Sequence, residues 1–95
     1  MFDWDPRKAQ SNWRKHGVSF EEAATAFLDP DGLDGEDLDH SESEPRRLRL
    51  AKSGSGRVLL IAYTIRSDEN EETTRIISAR RASRKERKRY EAEED

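Results

Sequence analysis

VLLIAYTI, Val58 to Ile65, decides the fold, because its residues are apolar at both alternating positions and mostly β-branched or aromatic. Such a run reads as a strand covered on both faces and so as the spine of a sheet. Before it, KSGSG, Lys52 to Gly56, is a compact polar turn. Ahead of that turn Leu48 and Leu50 alternate with Arg47 and Arg49, the period of a strand with one wet face, and the arginines are expected to share that outer face. After the spine comes a polar turn, Ser67 to Glu72, and then a β-branched stretch, Thr73 to Ala79. Short turns between strand signals make an antiparallel meander the economical connection.

Helices flank the meander. Asp5-Pro6 supplies an N-cap and a first helical residue, and Gly17 a left-handed stop, which predicts a helix over residues 6–16. Ala9 and Trp13 mark its face, with Trp13 the one large apolar group to bury, and Trp4 is expected to help it dock. Ser19 and Glu22 form an S-x-x-E capping box that opens a second helix at Phe20. Ala23, Ala24, Phe27 and Leu28 line its buried side, and Asp29-Pro30 ends it. A second box, Ser83 and Glu86, opens a C-terminal helix. Between Asp29 and Pro45 the chain is acidic and rich in Gly and Ser, a loop or an edge strand of doubtful order, with His40 exposed in it. These elements predict an α+β fold: two N-terminal helices and a C-terminal helix packed on an antiparallel sheet of about three to five strands, in one domain over residues 1–95.

Only 32% of the 95 residues are hydrophobic and 41% are charged, so the core is thin. A net charge of only −3 and the apolar strand segments favour a fold over disorder. The absence of cysteine excludes disulfides, thiolate metal sites and cysteine nucleophiles. MFDWDPRKAQ lacks the order of a signal peptide, and the longest apolar run, Val58 to Ala62, is too short to span a bilayer, so a cytoplasmic protein without membrane contact is expected.

Charge is segregated along the chain. Residues 1–45 carry four Lys/Arg against twelve Asp/Glu, whereas residues 46–95 carry fourteen against nine. Arg75 to Tyr90 alone holds eight cations and one Glu, a surface suited to a polyanion. The C-terminal helix is basic in its first turn and acidic at its end. This opposes the helix dipole at about 0.3–1 kcal/mol for each misplaced charge, which suggests a purpose other than stability.

Arg80, Arg81 and Arg84 are the candidate phosphate holders, since guanidinium forks bind phosphate in bidentate fashion and stabilise charge growing in a transition state. Arg75, Lys85, Arg87 and Lys88 extend the basic surface as candidate RNA contacts, although a solvated helix face explains the same pattern. Tyr90 shares a helix face with Glu86 and Arg87 and is either a proton donor or stacking group, or part of the core. His16 ends the first helix and fits either acid–base work or simple capping. The acidic stretch Asp29 to His40 departs from calcium-loop spacing at Pro30 and Leu33, so no metal site is expected.

Four motifs taken in order, W-D-P-x-K at Trp4 to Lys8, K-H-G-V-S-F-E-E-A at Lys15 to Ala23, I-I-S-A-R-R-A at Ile76 to Ala82 and E-R-x-x-Y at Glu86 to Tyr90, resemble the BrnT family of bacterial toxins. The acidic loop and the turn containing Asn70 look longer or more divergent than the family's. The resemblance implies a RelE-like fold and a metal-independent endoribonuclease that slows translation and needs no cofactor. It also implies a BrnA-type ribbon-helix-helix antitoxin, with operator DNA contacted only through that partner. The implied reaction is attack of a ribose 2′-hydroxyl on the adjacent phosphate. On this reading Arg80, Arg81 and Arg84 hold the phosphate, Arg66 just after the central strand is a further RNA contact, and His16 and Tyr90 are proton carriers. Two other classes fit the same arginines: a non-catalytic nucleic-acid-binding module, and a regulatory partner whose basic surface grips an acidic segment of the antitoxin.

Overall fold

The computed structural model describes residues 1–39 and 45–94. In chain order the elements are β1 (Phe2–Asp3), α1 (Pro6–His16), α2 (Phe20–Thr25), a 3₁₀ turn (Ala26–Leu28), β2 (Leu33–Glu36), β3 (Arg47–Lys52), β4 (Val58–Asp68), β5 (Glu71–Arg81) and α3 (Arg84–Glu94). The strands form one sheet in the order β1-β5-β4-β3-β2, with the apolar β4 at its centre as its composition requires. Four strands make the expected antiparallel meander, but β1 joins β5 in parallel, Phe2 beside Thr74 and Asp3 beside Arg75. The sheet is therefore mixed rather than wholly antiparallel, since a two-residue strand carries no periodicity to read. β4 and β5 extend until two residues, Glu69 and Asn70, join them. Arg66 thus lies within β4, not after it.

Alternation along the strands sends Ala51, Leu59, Ile61, Ile76 and Ala79 to one face, where they meet Val18, Phe20, Ala23 and Ala26 in the core. Trp4 packs edge-on against Phe20, with ring centroids 5.8 Å apart. The expected orientation of β3 is reversed. Arg49 points into the helix-covered face and is only 9% exposed, while Leu48, Leu50 and Leu60 point to the other. Burying a guanidinium requires partners. Arg49 has them: it pairs with Asp34 at 2.6 Å, donates to the carbonyls of Ala26 and Asp29, and lies over the Phe27 ring. Asp34 also accepts from the buried Tyr63 hydroxyl at 2.5 Å, which ties β2 to β4 across β3.

α1 begins and ends as its sequence dictates. The Asp5 carboxylate accepts from Arg7 N, and Gly17 takes φ 64° and donates its N–H to Trp13 O. Its buried residue, however, is Asn12, while Trp13 is 58% exposed. β1 covers β5 only at Thr74 and Arg75, so the edge of β5 beyond them needs partners. Asn12 supplies one: its Nδ2 donates to Ala79 O at 2.8 Å and to Val18 O at 2.9 Å, and its Oδ1 accepts from Ala79 N at 3.0 Å. A side-chain amide thus stands in for one residue of a neighbouring strand.

α2 is shorter than its pattern suggests. After Thr25 it tightens into the 3₁₀ turn, which changes the direction of its last side chains, and Leu28 is 84% exposed rather than buried. Ser19 Oγ accepts from Glu22 N, but the Glu22 carboxylate does not complete the capping box; it is taken by the β3–β4 turn. The α3 box is complete, with Glu86 N donating to Ser83 Oγ at 3.1 Å and Ser83 N donating to Glu86 Oε1 at 2.8 Å. The acidic segment supplies the edge strand β2, while His40 and residues 41–44 of the expected loop lie outside the described residues.

Candidate nucleic-acid interface

β5 runs out at Arg81 and α3 starts at Arg84, so the basic segment turns a corner at Ala82-Ser83. Arg80 and Arg81 leave opposite faces of the strand. The Arg80 guanidinium donates to both Glu86 oxygens, at 2.8 and 3.0 Å, and to the carbonyl of Arg81. That pairing, more than the bond from Ser83, holds the Glu86 carboxyl below its usual range. Arg80 is thus the tie between strand and helix, and most of its fork is occupied.

Arg81 lines an open groove of about 560 Å³ with Lys52, Arg57, Arg87 and Glu91, between the β3–β4 turn and α3. Arg84, Arg87, Lys88 and Glu91 line a shallower depression along α3, so the two share Arg87 and Glu91 and adjoin there. Among the described residues Arg81, Arg84, Arg87 and Lys88 have no carboxylate within ion-pairing distance. Arg57 differs. Its Nε and Nη2 engage Glu22, and Nη2 also reaches Gly17 O at 3.1 Å. Glu22 accepts in addition from Ser53 and Ser55, at 2.7 and 2.6 Å. Arg57 foremost, with these hydroxyls, outweighs burial and lowers the Glu22 pKa to about 2. The carboxylate therefore clasps the turn that forms one wall of the groove.

His16 opens onto a different depression, about 190 Å³, beside Lys8, Ser11, Lys15 and Ser78. Tyr90 is 1% exposed and donates its hydroxyl to Asp29 at 2.6 Å. Burial pushes the Asp29 carboxyl up, but the bonds from Tyr90 and from the Lys52 and Asp31 amides outweigh it, leaving a lowered pKa. The phenol fastens α3 to the segment after the 3₁₀ turn. Arg75, six residues before Arg81, is about 20 Å away along β5 and pairs with Asp3 at 3.2 Å. Arg66 stands opposite Thr73 in the same far portion of the sheet, and Lys85 is exposed but lines neither groove.

Arg81, Arg84, Arg87 and Lys88 are therefore gathered along two adjoining grooves, and Arg80, His16, Tyr90, Arg66 and Arg75 are placed elsewhere. Sequence reasoning missed Lys52 and Arg57 as groove residues, and Glu22 as the anchor of Arg57. The only sequence signal for the latter was a capping-box glutamate, whose alternative partner lies thirty-five residues on. Among the described residues no three His, Asp or Glu side chains are grouped to hold a metal ion. No helix among the described residues is long and apolar enough to cross a membrane.

Residues 4–86 match the family described as the ribonuclease toxin, BrnT, of type II toxin–antitoxin systems. The chain belongs to the BrnT family. The crystal structure of the Brucella abortus ribonuclease toxin, BrnT, has the same fold, with a TM-score of 0.64 over 88% of this chain and 99% of that one at 20% identity. No curated protein matches the chain significantly in sequence. BrnT membership makes this a ribonuclease toxin of a type II system, a class that implies an RNA substrate and an antitoxin partner.

Proposed function

We propose that the protein is a metal-independent endoribonuclease that inhibits translation in the cytoplasm, with RNA lying along the groove between the β3–β4 turn and α3. The carrying observation is the row Arg81, Arg84, Arg87 and Lys88, unpaired among the described residues although the chain has more acidic than basic groups. Arg81 and Arg84 hold the scissile phosphate, Arg87 and Lys88 hold its neighbours, and Arg80 acts through Glu86 by fixing the start of α3. The 2′-hydroxyl attacks phosphorus as its proton passes to a base; the bond to the 5′ oxygen breaks as that oxygen takes up a proton. His16 lies in the depression between α1 and β5, outside this groove, and is not assigned the proton transfer. The helix-flanked mixed sheet is read as a RelE-like architecture. A BrnA-like ribbon-helix-helix antitoxin covers the basic groove and is the part of the complex that contacts operator DNA.

Cleavage of end-labelled RNA in EDTA tests the reading. Wild-type protein should cut and leave cyclic phosphate ends, and Arg81→Ala and Arg84→Ala should each lower kcat/KM by about tenfold or more, the equivalent of one charge-assisted bond. Cleavage abolished by EDTA, or unaffected in both variants, would overturn it.

A further inference from the structure

Several described cations are held by carboxylates: Arg49 by Asp34, Arg57 by Glu22, Arg75 by Asp3, Arg80 by Glu86. The cations of the depression between α1 and the edge of β5 are not held in this way. Lys8, Lys15 and His16 line it together with the hydroxyl residues Ser11 and Ser78, the Asn12 amide and Ile77, and no carboxylate is among its lining residues. Lys8 and Lys15 lie seven residues apart on α1, two helical turns, so their ammonium groups rise from one side of the helix. Both are exposed and have no ion pair among the described residues. In a chain with 21 acidic residues, a groove kept free of them retains its full positive potential for an anion from solution.

The position of the groove says which anion. Ser78 lines it, and Arg81, three residues further along the same strand and on the opposite face by alternation, lines the RNA groove proposed above, so a backbone path of about 10 Å rounds the open edge of β5 between them. The His16-Gly17 corner bridges the two, since Gly17 O accepts from Arg57. A single strand leaving Arg81 along β5 meets Lys15 and Lys8 within the few nucleotides that single-strand-binding sites commonly engage.

We infer that the α1–β5 groove is a second RNA-backbone subsite, in which Lys8 and Lys15, with the Ser11 and Ser78 hydroxyls, hold phosphates flanking the cleaved one. This rests on the ribonuclease reading and extends its footprint from α3 to α1. The subsite supplies affinity and orientation without sequence discrimination, because phosphate contacts fix register and carry no base information.

The test compares wild type with Lys8→Ala/Lys15→Ala, both exposed positions, on a long single-stranded 2′-O-methyl RNA and on cleavable RNAs of two lengths. Two lost phosphate contacts should lower the slope of log affinity against log salt by about 1.4, at about 0.7 per contact on a single strand. The kcat/KM advantage of a long cleavable RNA over a dinucleotide should shrink in the same variant. An unchanged salt slope and an unchanged length advantage, with wild type cleaving normally, overturn the subsite and leave the ribonuclease reading intact. Loss of antitoxin binding with RNA affinity preserved overturns it too, by assigning the groove to the protein partner. Wild type that neither binds nor cuts RNA overturns both.

Discussion

Replacing Glu22 with Gln isolates the charge that holds the β3–β4 turn against α2. The carboxylate accepts from Ser53 at 2.7 Å, Ser55 at 2.6 Å and Arg57 Nε at 3.0 Å, and also pairs with Arg57 Nη2. These partners, Arg57 first, bring its pKa from 4.5 to about 2. One pKa unit corresponds to about 1.4 kcal/mol, so the folded state favours the charged form by about 3 kcal/mol. Glutamine keeps the shape, loses the charge and turns an amide nitrogen toward a cation, for an expected loss of about 2–3 kcal/mol at neutral pH. The unfolded chain takes up the proton near 4.5, and the folded chain resists until about 2. The stabilisation is therefore complete above 4.5 and disappears as pH falls toward 2. Urea unfolding across this range, followed by the fluorescence of Trp4 against Phe20, should give a gap between wild type and variant that is widest at neutral pH and narrows on acidification. A neutral-pH gap under about 0.5 kcal/mol, or one that stays constant down to about pH 3, would refute the role of the charge.

Tyr90→Phe should lower stability by about 1–2 kcal/mol through loss of the bond to Asp29, with cleavage per folded molecule retained. Lost cleavage at unchanged stability would instead return the phenol to proton transfer. Asn12→Ala strips the paired groups of Ala79 and should cost about 2–3 kcal/mol in a thermal or urea melt; a loss below about 0.5 kcal/mol would mean that water replaces the amide.

Much of the fold is legible where the signal is local. Asp5-Pro6 and Gly17 bound α1, Ser83 and Glu86 cap α3, and two apolar parities put β4 at the centre of the sheet. Reading fails where a residue's environment is set from far along the chain. The period of β3 gives alternation but not which face the helices cover, and Arg49 goes inside because Asp34 and two carbonyls wait there. Hydrophobicity puts Trp13 inward, yet the open edge of β5 claims Asn12 instead. The site follows the same rule. Charge clustering identifies the basic end of the molecule, whereas the carboxylates that occupy Arg80 and Arg57, and so separate supporting cations from available ones, become evident only in three dimensions.

The amide of Asn12 also bears on how copies of the chain meet one another. A bare strand edge is a template on which another chain can add itself. The outer strands limit that hazard by being short, two residues in β1 and four in β2, and β2 carries Asp34 and Glu36. β5 is long, and beyond Arg75 its outer edge has no neighbouring strand among the described residues. One side-chain amide fills the pairing site at Ala79. A toxin that pairs with an antitoxin also spends intervals as a separate molecule. By closing that edge, Asn12 guards those intervals against sheet-to-sheet self-association, and its loss would expose the molecule to aggregation as well as weaken it.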